Sequence, residues 1–188
     1  MSIVVGLDLS LTSTGWVRIS TAPHPDGISR DLIKSSGHRG DTLAQRTARL
    51  ARLCERIVEL ACDADLIVIE GPSLGQARQG GTHDRSGLWW LVVATLSNCS
   101  GLVVEAPPAC RARYATGKGN ASKDQVLAAV VRRYPDVPIV GNDDADALVL
   151  AAMGARYLGE PIEDSLPQAH LAAMAGVTWP TSVQTTLA

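Results

Sequence analysis

Phenylalanine is absent from this chain, and Trp and Tyr bring the aromatic share to only 4%. Packing must therefore rest on Ala, Val and Leu, as in many α/β proteins. No apolar run is long enough to span a bilayer, which excludes a helical membrane protein. No basic stretch leads into a signal-like apolar core, so a cytoplasmic protein is expected. The four cysteines, Cys54, Cys62, Cys99 and Cys110, form no Cys-x-x-Cys pair and have no His at metal-ligand spacing. In a cytoplasmic chain they are expected to be reduced structural thiols. A strong net charge is missing too, the balance being −2 at pH 7. The length suits one domain with a real core.

Charge is uneven along the chain. Arg30, Lys34, Arg39, Arg46, Arg49, Arg52 and Arg56 face few acids in their own stretch, and Arg78, Arg85, Arg111, Arg113, Lys118, Lys123, Arg132 and Arg133 repeat the excess. After Tyr134 the sign reverses. A basic middle and an acidic end suit a protein holding phosphate on one surface and metal on another.

Ile3 to Leu9 is an apolar run broken by one acid, as expected of a strand buried on both faces. Thr14 to Ile19 alternates and reads as its antiparallel partner. A turn at Pro23, Pro25, Asp26 and Gly27 leads to a third strand near Ile28 to Ser35. Asp41 or Thr42 caps a helix reaching about Cys62, with Leu43, Leu50, Leu53, Ile57 and Leu60 on one face and Arg49, Arg52 and Arg56 on another. Leu66 to Glu70 and Leu102 to Glu105 are further strands, separated by a glycine-rich loop from Gly71 to Thr82 and a helix from about Asp84 to Cys99. Helices follow at Ala121 to Tyr134 and Asp143 to Tyr157. Three antiparallel strands, a helix, then alternating strands and helices make a mixed five-stranded sheet covered on both faces. That order is the RNase H-like, or retroviral-integrase-like, α/β arrangement. The domain is expected to span 1–158, with 159–188 a loosely ordered C-terminal tail.

Asp8 and Glu70 each end a strongly apolar strand, where an unpaired carboxylate is costly and calls for a partner or a metal. Asp143 and Asp146 lie at i and i+3 at a helix start and share a face, while Asp144 points away. Four acids from three elements can converge at one end of the sheet. Ligation by acids without His or Cys selects hard cations such as Mg²⁺ or Mn²⁺. Two such ions about 4 Å apart support in-line attack of water on a phosphodiester.

Val5-Gly6-Leu7-Asp8 with Thr14-Gly15-Trp16 resembles the first motif of RuvC-type Holliday junction resolvases. Ile67-Val68-Ile69-Glu70 is similar to their second acidic strand, Thr116 to Val126 to their glycine-rich turn and helix, and Asp143-Asp144-Ala145-Asp146-Ala147-Leu148 to their terminal motif. The resemblance implies a homodimeric, Mg²⁺-dependent endodeoxyribonuclease that nicks four-way DNA junctions, with two ions per site and Mn²⁺ as a substitute. It makes Asp8, Glu70, Asp143 and Asp146 the catalytic metal ligands and sets Lys123 near the scissile phosphate. Arg78, Arg85, Arg111, Arg113, Lys118 and Lys123 are the expected DNA contacts. Of Trp89 and Trp90, one is expected in the core and the other at a dimer contact.

The chain departs from the family pattern in three places, one of them a stretch from Ser20 to Gly40 longer than a compact hairpin region needs. Ser73 stands where members carry a base-wedging aromatic, which implies relaxed cleavage-sequence selectivity and a divergent, phage-borne origin. Arg111 or Arg113 stands in for a second family lysine. Two rival readings follow from the same residues. Gly6 to Gly15 also resembles the phosphate loop of sugar kinases and actin-like ATPases, although a second such loop is missing. A catalytically silent junction-binding protein is the other, and the full set of acids argues against it.

Overall fold

In a computed structural model, residues 1–21, 27–72, 81–99 and 101–181 are described. Five strands form one mixed sheet: β1 (Ile3–Asp8), β2 (Ser13–Ser20), β3 (Ile28–Lys34), β4 (Leu66–Glu70) and β5 (Leu102–Ala106). Their order across the sheet is β3-β2-β1-β4-β5. β1–β2 and β2–β3 are antiparallel, whereas β1–β4 and β4–β5 are parallel. This is the arrangement expected from the order of elements.

Alternation along the strands divides the core in two. Val5, Leu7, Ile67 and Ile69 face α1 (Leu43–Ala61) and α2 (Thr82–Leu96). Val4, Val17, Ile19, Leu66 and Val68 face the other layer: α3 (Pro108–Thr116), α4 (Lys123–Arg133) and α5 (Asn142–Tyr157). Every residue of α5 from Asp144 to Ala155 is buried. A helix enclosed all round must be a central core element, and its Ala-rich surface lets it lie close to the sheet.

Local signals set the helix starts. Thr42 caps α1 and Ser122 caps α4, each in a capping box with a glutamine three residues on. α3 was not foreseen. Pro108 occupies its first turn, a position where proline's missing N–H costs nothing. Leu43, expected on the apolar face of α1, is exposed, since that helix packs through Leu53, Cys54, Ile57 and Ala61.

Two expectations are corrected. Cys62 and Cys99 are joined in a disulfide, with Cα atoms 5.4 Å apart, and only Cys54 and Cys110 are free thiols. α1 and α2 pack side by side, and the end of one meets the end of the other, a proximity invisible in linear spacing. The stretch from Gly159 to Thr181 also is not loose. It adds α6 (Gln168–Leu171), buries Ala173 and Val177, and stacks Trp179 on Tyr157 at 4.7 Å. Buried Glu163 anchors it, accepting hydrogen bonds from Tyr114, Tyr134 and Arg156. Among the described residues no helix is long and apolar enough to cross a membrane.

Candidate active site

β1 and β4 are parallel neighbours, with Leu7 opposite Ile69, so their final residues Asp8 and Glu70 stand side by side. Asp8 shares a face with Val4 and Gly6, and Glu70 with Leu66 and Val68; α5 covers that face. Glycines bring the helix down onto it. A Cβ on Gly6 would sit 2.1 Å from the Ala147 carbonyl oxygen, and one on Gly15 2.1 Å from that of Asp143. The close seat delivers Asp146 to the two strand ends.

Asp8, Glu70 and Asp146 each offer a carboxylate oxygen within 4.8 Å of the others. Asp143, one turn earlier on α5, lies outside this closest group but near enough that its charge raises the Asp146 pKa. Burial, reinforced by Glu70 and Asp146, pushes the Asp8 carboxyl well above the ordinary carboxylate range. Asp146 is pushed up to about 7, first by burial, with Glu70 and Asp143 adding to it against Arg111 and Lys123. Asp144 is separate, as its i+1 position predicts. It is fully buried on the β3 side, where Arg30 Nη1 lies 2.9 Å from Oδ2 and the Val140 N–H also donates to that oxygen.

Basic residues occupy varied positions. Lys123 opens α4 and lowers the pKa of both Asp8 and Asp146. Arg111, expected on a DNA-facing surface, is instead buried among the acids, with Nε 2.7 Å from Glu70 Oε1 and Nη1 bonded to Asp146 Oδ1. Its place inside the site was missed because α3 was missed; Pro108 at the helix start was the available signal. Arg85 lies in the first turn of α2, Arg113 on α3, and Lys118 in the turn before α4. Ser73 and Arg78 lie outside the described residues. Much of the basic excess is used internally: Arg46 pairs with Asp84, Arg49 with the Ser35 hydroxyl, and Arg133 with the Tyr114 and Ala115 carbonyls. Counting charge along the sequence therefore overstates the positive surface.

α2 is tied to the site as well. The Trp89 indole N–H donates to the Glu70 carbonyl at 2.9 Å, so the helix holds the end of β4. Trp90, edge-on to Trp89, stays 65% exposed.

No family model matches the chain. A crossover junction endodeoxyribonuclease RuvC from Synechococcus sp. (strain CC9311) is 36% identical over 159 residues, covering 80% of this chain and 96% of the relative. The chain belongs to the RuvC family. The solved structure of T. thermophilus RuvC in complex with Holliday junction substrate matches with a TM-score of 0.63 at 15% identity, covering 85% of this chain and 98% of that one. The Fowlpox virus resolvase in its complex with substrate Holliday junction DNA matches with a TM-score of 0.52 at 14% identity, over 83% and 98%. At those identities the structures establish a shared fold, and the RuvC relative establishes the family. RuvC membership makes the chain a nuclease and displaces the kinase-like reading of Gly6 to Gly15.

Proposed function

We propose that this RuvC-family protein is a structure-selective endodeoxyribonuclease that cuts four-way DNA junctions, and other branched DNA, by divalent-cation-dependent phosphodiester hydrolysis. The observation that carries the metal is the triad Asp8, Glu70 and Asp146, which gathers three carboxylates within 4.8 Å. The donor set is all oxygen, and Asp146 Oδ2 is buried with no hydrogen-bond partner among the described residues. An orphaned buried carboxylate oxygen fits a hard cation such as Mg²⁺, with Mn²⁺ as substitute. Bound there, such cations supply water activation and neutralise charge on the phosphate.

The remaining work falls to the chain. Asp8, Glu70 and Asp146 hold the cations, and Asp143 extends the set along α5. Lys123 brings an ammonium to the rim, where it stabilises negative charge growing on the phosphate. Arg78, Arg85, Arg113 and Lys118 neutralise DNA backbone charge and position the junction without reading bases. Ser73 offers no ring to wedge between bases, which supports cutting at several positions around the crossover.

A homodimer suits a junction with two symmetry-related strands. Its contact is the outer face of α2, where Trp90 and Leu91 (42% exposed) lie beside the small exposed residues Gly87 and Ala94. The decisive experiment is nicking of a synthetic four-way junction with Mg²⁺. Asp8→Asn, Glu70→Gln, Asp143→Asn and Asp146→Asn should each abolish cleavage while leaving junction binding nearly intact. Wild-type cleavage by any one of them removes that residue from the site.

A further inference from the structure

The two oxygens bonded by Arg111, Glu70 Oε1 and Asp146 Oδ1, belong to two of the three carboxylates proposed to hold metal. The guanidinium side chain is only 8% exposed, so water does little to screen it. It is not a rim contact. Two of its donors reach acids on different elements, β4 and α5, and so tie together carboxylates whose charges repel. Asp8 has Arg111 near it electrostatically but no hydrogen bond from it, and Asp146 Oδ2 remains without a partner among the described residues. A compact dication bonds carboxylate oxygens at about 2.1 Å. With Arg111 bonded to Glu70 Oε1 and Asp146 Oδ1, an ion taking the Asp146 Oδ2 left without a partner would share the same two carboxylates with a guanidinium of like charge, in a site too buried for water to screen them.

We infer that Arg111 is the resident counter-cation of the metal-free triad, and that it leaves both carboxylates when a divalent ion is held. Loading is then an exchange. Before loading, the arginine keeps the three acids assembled; on loading, it is released at the edge of the site on α3. This rests on the reading that the triad binds metal, and the experiment separates the two ideas.

The probe is Mn²⁺ alone, titrated without DNA into the wild-type protein and into Arg111→Gln, with melting temperature followed in parallel. A site held closed about nine-tenths of the time loses about tenfold in apparent affinity. Arg111→Gln should therefore bind Mn²⁺ at least about tenfold more tightly than wild type. It should also melt lower without metal and gain more from Mn²⁺. Arg111→Lys, which keeps the charge without the planar fork, should fall between them. Should Arg111→Gln fold poorly, the wild-type protein supplies the same test: the Arg111 Nε–H resonance should be protected without metal and lose that protection on saturation with Mg²⁺. Equal or weaker Mn²⁺ binding by Arg111→Gln, or an Nε–H unchanged at saturating Mg²⁺, overturns the exchange while leaving metal binding in place. Absence of ion binding by either protein overturns the metal reading and the exchange with it.

Discussion

Gly15→Ala is the sharpest probe of how the fold builds the site, because Gly15 is paired with Asp8 in the β1–β2 register and lies under the first turn of α5. A methyl group there meets the Asp143 carbonyl oxygen at 2.1 Å and its carbon at 2.6 Å, whereas ordinary contact begins at 3.4 Å. Both are backbone atoms, so no side chain can swing aside. The start of α5 must rise by roughly 1 Å, at an overpacking cost of about 1–3 kcal/mol. That rise carries Asp143 and Asp146 away from Asp8 and Glu70. Misplacing catalytic groups by about 1 Å costs on the order of 100-fold in rate. Urea denaturation and single-turnover nicking of a four-way junction should thus both register the change, with junction binding little altered. Gly141→Ala is the matched control at the N-terminus of the same helix, since nothing lies within 4 Å of its added Cβ. Wild-type stability and cleavage in Gly15→Ala would refute the close seating of α5 as the device that assembles the triad.

Other outcomes follow from separate parts of the molecule. Glu163→Ala should cost about 3–5 kcal/mol in denaturation, because it leaves two buried tyrosine hydroxyls without their acceptor and breaks the Arg156 ion pair, yet per-molecule cleavage should not change. Reducing the Cys62–Cys99 disulfide frees a 37-residue separation and should lower stability by up to about 4 kcal/mol; an unchanged melt after reduction would show that the bond adds nothing. Asp146 is pushed up from 3.8 to about 7, so the folded state binds its proton more tightly than the unfolded chain does. Without metal, stability should therefore fall as pH rises between those values, and Asp146→Asn should flatten the slope in urea titrations. Trp90→Ala should shift sedimentation from dimer to monomer at micromolar concentration; a dimer of unchanged affinity moves the contact elsewhere.

The sequence by itself determined the features that repeat locally. Short apolar runs marked the two central strands and placed Asp8 and Glu70 at their ends, alternation marked Thr14 to Ile19 beside them, helical spacing put Asp143 and Asp146 on one face and turned Asp144 away, and the motifs around these acids carried the family. Such signals are written in neighbouring residues, because strand and helix periods are properties of the local backbone. Tertiary structure decided what sits between the acids. It placed Arg111 inside the triad, left Asp143 outside the closest three, and paired Asp144 with Arg30 across 114 residues. It also joined Cys62 to Cys99 and docked Glu163 beneath Tyr114 and Tyr134. None of these partners is periodic in the chain. A buried charge takes whichever opposite charge the packing brings within reach, and that choice is made by the meeting of helix and sheet rather than by spacing along either.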